Sequence, residues 1–153
     1  MRINYHATLV FEGVYHMYNK AIDQRKLFYE EADYQRFLNN FKKYFSPYLD
    51  VISFCLIPNH FHFMIRIKEE KSVDVAFIKS EDTAASRKYL LKELSWSDFL
   101  SDQFRRALSS HALFINRKYQ LHGPLFMKKI KRTEVASEQK YYNLMCYTSC
   151  VMI

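Results

Sequence analysis

The chain has 153 residues, the length of one ordinary domain, and a formal net charge of +7 at pH 7. Its 49% hydrophobic and 25% charged residues exclude whole-chain disorder, and its 2 glycines and 3 prolines exclude collagen-like and linker classes. No apolar run approaches the ~20 residues of a membrane span, and no signal-peptide segment follows the start. We therefore expect one cytoplasmic domain over residues 1–153, with no membrane partner.

The charge balance indicates a polyanionic partner. Lysine and arginine outnumber aspartate and glutamate by 23 to 16, which favours binding to nucleic acid through counterion release. The stretch 117–132 contains basic residues and interleaved aromatic residues but no acidic residue. Its basic side chains are Arg117, Lys118, Lys128, Lys129, Lys131 and Arg132. The stretch is either a solvated surface loop or a segment that contacts nucleic-acid phosphates.

The first elements along the chain are a strand and an amphipathic helix. β-Branched and aromatic residues at short spacing predict a strand around residues 14–18. Apolar side chains then recur at three- and four-residue spacing between Tyr34 and Phe45, behind acidic residues that suit a helix N-terminus. Pro47 is expected to end this helix.

Two further strands follow, separated by a turn at residues 57–59. Residues 51–56 are apolar and partly β-branched, and residues 60–67 alternate as only a strand would. One face of the second strand is wholly apolar and is expected in the core; it consists of Phe61, Phe63, Ile65 and Ile67. The opposite face begins with His60 and His62.

The second half of the chain is less regular. Residues 68–95 mix charged and small residues, and we expect the most mobile or variable insertion there, with a helix near residues 86–94. A long amphipathic helix is predicted over residues 97–119, with Ser97 or Ser101 as its cap.

The C-terminal part completes a β-α-β-β-α-β-α order. Residues 125–135 predict a hairpin or an edge strand, and a final helix is expected from about Ser137. This order is typical of a single α+β domain, in which helices cover one face of an antiparallel sheet.

The cysteines and glycines exclude several classes of site. Cys55, Cys146 and Cys150 are odd in number and predict reduced thiols rather than a secreted disulfide framework. Cys146 and Cys150, one helical turn apart, could instead complete a zinc site with His60 and His62. Gly13 and Gly123 are the two glycines of the chain and lie too far apart for a P-loop, and the dinucleotide fingerprint needs three glycines.

The His60-Phe61-His62 triplet is the sharpest local feature. On a strand its two imidazoles share a face and can converge on one metal ion. The alternative is a pair of exposed strand histidines, or of buried histidines satisfied by hydrogen bonds. The turn before the triplet, the apolar opposite face and the basic composition favour a metal–phosphate site. His16 on the first strand could approach the same face, although an ordinary strand histidine is the simpler interpretation.

Three segments together resemble the HUH tyrosine transposases, most of all the small insertion-sequence enzymes and their REP-associated relatives. They span residues 14–19, 37–48 and 55–65, the last with the string Pro58-Asn59-His60-x-His62. Residues 114–126 are similar to the family's segment after its long helix. The resemblance implies a ferredoxin-like sandwich, a divalent metal (Mg²⁺ or Mn²⁺) on His60 and His62, and single-stranded DNA, including hairpins, as substrate.

The family also implies a nucleophilic tyrosine on a late helix. Tyr147 matches that position best, with Tyr141 and Tyr142 as neighbouring alternatives. Its phenolate would attack the scissile phosphodiester and leave a 5′-phosphotyrosine during DNA transposition. The resemblance leaves open whether the tyrosine acts within one chain or across a homodimer.

The sequence departs from the family at two places near its end. Val151 stands where the family has an Asn or Gln metal ligand, four residues after the tyrosine, and the chain stops short of the family's usual tail. The functions left open are a single-strand DNA endonuclease and transferase, a catalytically impaired DNA-binding module on the same fold, and a structural domain.

Overall fold

The computed structural model describes residues 2–141 and 143. The named elements in chain order are β1 (Val14–Lys20), α1 (Glu31–Phe45), β2 (Leu49–Ile57), β3 (His60–Ile67), α2 (Val75–Glu81), α3 (Ala84–Leu90), α4 (Trp96–Lys118) and β4 (Lys131–Glu134). A short 3₁₀ turn, Glu70–Ser72, precedes α2. The predicted succession of strands and long helices is confirmed as far as β4.

The four strands form one sheet in the order β2-β3-β1-β4, and every neighbouring pair is antiparallel. β3 and β1 are therefore the central strands, and the long helices α1 and α4 pack on one face. This is the ferredoxin-like βαββαβ arrangement. It confirms the predicted α+β class and places the histidine triplet on a central strand.

Aromatic side chains hold the helices against the sheet. The Phe41 ring of α1 stacks on the Phe63 ring of β3 with centroids 4.1 Å apart. The Phe45 and Phe104 rings, 4.5 Å apart, join α1 to α4. All four side chains are buried, so these contacts combine the burial of large apolar surfaces with favourable ring geometry. The spacing of Phe41 and Phe45 is the helical periodicity seen in the sequence.

The insertion between β3 and α4 contains two short helices. Asp74 caps α2 by accepting a hydrogen bond from Ala76 N, and Thr83 caps α3 by accepting one from Ser86 N. This capping starts α3 at Ala84, earlier than the helix predicted near residues 86–94. The apolar pattern alone could not show it, because caps rather than periodicity set these boundaries.

The long helix α4 begins at Trp96 with Ser95 as its N-cap, so the prediction of Ser97 or Ser101 as the cap is wrong. The Ser97 hydroxyl accepts a hydrogen bond from Leu9 N at 2.9 Å. The Ser101 hydroxyl accepts one from Arg132 Nη1 at 2.9 Å. Although α4 has 23 residues, it is amphipathic, and no helix in the described part of the chain is long and apolar enough to cross a membrane.

The C-terminal part holds a short edge strand and the start of a helix. Of the stretch 125–135, only Lys131–Glu134 forms a strand, so the edge-strand alternative is the one observed. Residues 138–141 are helical, which agrees with the helix expected from Ser137.

The oxidation state of Cys55 differs from the prediction. Cys55 is disulfide-bonded, so the prediction of a reduced thiol is wrong for this residue. Cysteine spacing in the sequence held no information on which strands and helices would meet. Cys146 and Cys150, the two cysteines of the alternative zinc site, lie outside the described residues.

Candidate functional site

His60 and His62 lie on the sheet face opposite the helices. Phe61 and Phe63 of the same strand are buried and meet aromatic residues of α1, so alternation directs the histidines to the other face. The two imidazole centroids are 5.0 Å apart. His62 is buried and His60 half-buried. The predicted placement of the histidine pair and of the two phenylalanines is confirmed.

His16 of β1 joins this pair. Its Nε2 atom lies 3.0 Å from Nδ1 of His62, and the two rings stack with centroids 5.1 Å apart. The Tyr18 ring stacks beside both imidazoles, with its centroid 4.8 Å from that of His16 and 5.5 Å from that of His62. Of the two interpretations of His16, its approach to the face of His60 and His62 is the one observed. We call His16, Tyr18, His60 and His62 the histidine cluster.

Each metal-ligand candidate has a hydrogen-bond partner at Nδ1. His60 Nδ1 is 2.8 Å from Asn59 Oδ1, and because an amide oxygen only accepts, His60 carries its proton on Nδ1. This tautomer leaves the Nε2 lone pair for a cation. In His62, a proton on Nδ1 would be donated to His16 Nε2. Such partners fix the tautomer and ring orientation of metal-binding histidines.

All three histidines have lowered pKa values. Burial is the main cause and brings the pKa of His16 and of His62 to about 4. Lys140 adds to the shift at His16, whereas His16 and His60 add to it at His62. Burial, followed by the charge of Lys20, also lowers the pKa of His60. These imidazoles are therefore neutral at pH 7, which is the form that binds metals.

The two imidazoles of His60 and His62 suit a metal cation, but two ligands are too few to complete its coordination. Neutral imidazoles with ordered Nδ1 atoms are good ligands for divalent transition metals. Within residues 2–141 and 143, however, no group of three or more His, Cys, Asp or Glu side chains is placed to hold a metal ion. His60 and His62 would therefore need further ligands from water, from a DNA phosphate or from residues beyond those described.

Five of the six predicted nucleic-acid-binding residues are exposed: Arg117, Lys118, Lys128, Lys129 and Lys131. Lys131 pairs with Tyr18 in the β1–β4 register, so it shares the face of the histidine cluster. Its Nζ lies 5.4 Å from the centre of the Tyr5 ring and 5.9 Å from that of Tyr18.

Lys118 and Arg132 are already engaged within the protein. Lys118 Nζ pairs with Asp33 Oδ1 at 2.8 Å and also with Glu30. Arg132 donates from Nε to Ala7 O at 2.7 Å, and its Nη1 is bonded to α4. Lys118 is therefore held in ion pairs although it is exposed, and the half-buried Arg132 is hydrogen-bonded within the domain.

Two further basic residues stand on the histidine face. Lys20 is opposite His60 and Arg66 is opposite Val14 in the β1–β3 register, and both are exposed. The alternation of side chains along residues 60–67 predicts that Arg66 shares a face with His60 and His62. The position of Lys20 beside His60 depends on the pairing of β1 with β3, so the local sequence pattern could not predict it.

The predicted nucleophile Tyr147 lies outside the described residues, as do its alternative Tyr142 and the ligand position Val151. Tyr141 is described; its N–H donates to Ser137 O at 3.0 Å in the first turn of the last helix. The roles of these residues remain predictions.

No protein-family model matches the chain, and no curated protein matches it significantly. Among solved structures, a REP-associated tyrosine transposase bound to a REP hairpin is similar. The TM-score is 0.60 at 12% sequence identity, and the match covers 97% of this chain and 68% of that one. The likeness shows a shared fold over nearly the whole chain.

Proposed function

We propose that this chain is an HUH-type tyrosine transposase, which cleaves and rejoins single-stranded DNA with a divalent metal. The observation that carries the proposal is the pairing of His60 and His62 on the open face of a fold shared with a tyrosine transposase. The hydrogen bonds of His60 to Asn59 and of His62 to His16 support it, because an ordered outer shell is typical of metal-binding histidines.

The histidine cluster would hold Mg²⁺ or Mn²⁺. When bound, the ion would polarise the scissile phosphate and stabilise the negative charge that develops on it. His60 and His62 would supply nitrogen ligands, and His16 would keep the His62 ring in position. Tyr18, stacked beside both rings, would limit access of water from the side of β4.

Tyr147 would be the nucleophile. Its Oη would bond to phosphorus as the bond from phosphorus to the 3′ oxygen breaks, and the phenol proton would pass to water. The departing 3′ oxygen would take up a proton, which leaves a free 3′-hydroxyl and a 5′-phosphotyrosine. Attack by a second 3′-hydroxyl on that linkage would transfer the strand and restore the tyrosine.

The basic surface supports a DNA substrate. Lys20, Arg66 and Lys131 stand on the histidine face, and Lys128 and Lys129 follow at the adjacent edge. Their charges would neutralise backbone phosphates near the cleavage site, with release of counterions. The similar transposase was solved with a hairpin, and we extend that class of partner to this chain.

A DNA-binding module without turnover is the second candidate. Val151 cannot ligate a metal, and the described residues offer no third His, Cys, Asp or Glu ligand. On this alternative the same basic surface binds a hairpin or a single strand, and the histidines are a remnant of the catalytic site.

The test is a cleavage assay on a hairpin oligonucleotide with single-stranded flanks and Mn²⁺. We expect a covalent protein–DNA adduct that is lost in Tyr147→Phe and in His62→Ala. Tyr141→Phe, a tyrosine on the same predicted helix, is the matched control and should retain the adduct. DNA binding without an adduct in any protein would favour the binding module, and absence of DNA binding would overturn both candidates.

A further inference from the structure

A concave site lies on the helix side of the sheet, on the opposite face from the histidine cluster. It has a volume of about 610 Å³ and opens between α4 and the segment 124–130. This volume is within the roughly 300–1,000 Å³ range of small-molecule sites. The floor is apolar and consists of Leu108, Ala112, Leu125, Phe126 and Ile130. None of these residues belongs to the histidine cluster.

The walls of the cavity are fixed by hydrogen bonds to β1. Met127 N donates to Lys20 O at 3.0 Å, and Asn19 Nδ2 donates to Met127 O at 3.2 Å. Ile22 N donates to Leu125 O at 2.9 Å. The segment is therefore held open along the end of β1, and the site exists before any ligand binds.

The cavity is electrostatically suited to an anion-bearing ligand. Arg132 lines it, half-buried, and no carboxylate lies within ion-pair distance of its guanidinium in the described part of the chain. Lys128 and Lys129 form its exposed rim, and none of the described lining residues is acidic. Arg105 also lines it but is paired with Asp102 at 2.7 Å. Although Arg132 Nε and Nη1 are hydrogen-bonded to Ala7 O and Ser101 Oγ, both acceptors are uncharged, and a partly buried cation without a close ion pair favours a ligand with negative or electron-rich groups.

The cavity lies near the histidine cluster, across the end of β1. Asn19 lines the cavity, whereas the next residue, Lys20, stands opposite His60 on the other face of the sheet. Successive residues of a strand point to opposite faces, so the cavity and the histidine cluster meet at the end of β1. A single strand that passes over this end could reach both.

We propose that this cavity accepts one unstacked DNA base, with the phosphates beside it on Lys128 and Lys129. An apolar floor that includes an aromatic ring suits the flat faces of a base, and the Arg132 guanidinium suits the acceptor atoms on its edge. The inference rests on the proposed function, because the base would belong to the strand handled at the histidine cluster. An apolar peptide is less suitable, since the exposed rim carries the charges of Lys128 and Lys129.

The test uses the four deoxynucleoside 5′-monophosphates and methyl NMR of Leu108, Ala112 and Ile130. We expect saturable shifts of these methyl signals, with one base preferred. Deoxyribose 5-phosphate, which lacks a base, should leave the signals in place.

Two tryptophan variants on α4 provide the matched comparison. Ser109 is exposed and lines the cavity, so Ser109→Trp should fill it and weaken nucleotide binding about tenfold, the scale of one lost stacking contact. Leu113 is 51% exposed and does not line the cavity, so Leu113→Trp should bind like the wild type.

Two results would overturn the inference. One is the absence of methyl shifts with all four nucleotides, and the other is equal shifts with deoxyribose 5-phosphate, which would indicate anion binding alone. Neither result affects the proposed function, because the covalent adduct is measured separately. Conversely, nucleotide binding in a protein that forms no adduct would leave the cavity assigned and the transposase proposal wrong.

Discussion

The Nε2 atom of His16 lies 3.0 Å from the Nδ1 atom of His62, and the two imidazole rings are stacked. The contact joins the two central strands on the face that carries the candidate metal ligands. A hydrogen bond at Nδ1 sets which nitrogen of His62 bears the proton and how its ring is oriented. His16 is therefore best described as a positioning residue for His62 rather than as a ligand.

Loss of the His16 partner should weaken metal binding. We expect His16→Leu to reduce Mn²⁺ affinity about 10- to 100-fold, the usual effect of removing an outer-shell partner. The measurement is isothermal titration of Mn²⁺ into the protein with an uncleavable single-stranded oligonucleotide. His16→Gln, whose amide oxygen can accept the same hydrogen bond, should restore part of the affinity.

His122 supplies the control for this comparison, because it is an exposed histidine on the turn after α4. His122→Leu should bind Mn²⁺ like the wild type. Equal affinity in His16→Leu and His122→Leu would show that His16 does not position His62 for a metal.

An oxygen ligand at position 151 should strengthen the site. In the family pattern this residue lies one helical turn after the tyrosine, so both side chains reach the same site. We expect Val151→Asn to bind Mn²⁺ more tightly than the wild type and to form more covalent adduct. Val151→Leu, which adds no ligand, is the matched control. Unchanged metal affinity in a folded Val151→Asn protein would favour the DNA-binding module.

The salt dependence of DNA binding should distinguish lysines that contact phosphates from a lysine that is held in ion pairs within the protein. On single strands the plot of log affinity against log salt should flatten by about 0.7 for each lost phosphate contact. We expect this change when Lys128, Lys129 and Lys131 are each replaced by alanine, as measured by fluorescence anisotropy at several salt concentrations. An unaltered slope in all three would place the DNA path elsewhere.

Lys118→Met is the comparison, since its ammonium group is already held by two carboxylates. We expect its salt slope to match the wild type and its midpoint of thermal unfolding to fall. The loss of stability follows from the Asp33 carboxylate, which is fully buried and would keep only its uncharged donors. A flattened salt slope in Lys118→Met would instead make Lys118 a DNA contact.

The local sequence pattern was sufficient to predict which faces of β3 and α1 are buried. Alternation in residues 60–67 separates the buried phenylalanines from the histidines, and the spacing of Phe41 and Phe45 marks the core face of the helix. Both signals depend only on the geometry of one element. The histidine pair was therefore predictable, whereas its contact with His16 required the β1–β3 register.

Two residues of α4 have partners that are distant in the sequence. Ser97 bonds to Leu9, 88 positions away, instead of capping its own helix. Lys118 pairs with Asp33, 85 positions away, and is not a free cation of the basic stretch. Both contacts arise when α4 packs against the rest of the domain, and no local preference of serine or lysine indicates them.

The buried His111 should make folding stability depend on pH. Its side chain is fully buried, and Nε2 donates to Leu27 O at 2.8 Å. Burial is the largest cause that lowers its pKa from 6.5 to about 4, with the charge of Arg36 acting in the same direction. Between these two values the unfolded chain binds a proton that the folded chain does not.

The free energy of unfolding should therefore be fully maintained above about pH 6.5 and fall as the pH drops towards about 4. His111 would contribute a slope of up to about 1.4 kcal/mol per pH unit, and the lowered pKa values of His16 and His62 act in the same direction. Urea unfolding at several pH values in this window measures the slope. His111→Gln keeps a donor for Leu27 O but does not titrate. Its plot of unfolding free energy against pH should therefore have a smaller slope, by the amount that corresponds to about one bound proton. Equal slopes in His111→Gln and the wild type would show that His111 is protonated to the same extent in the folded and unfolded chains.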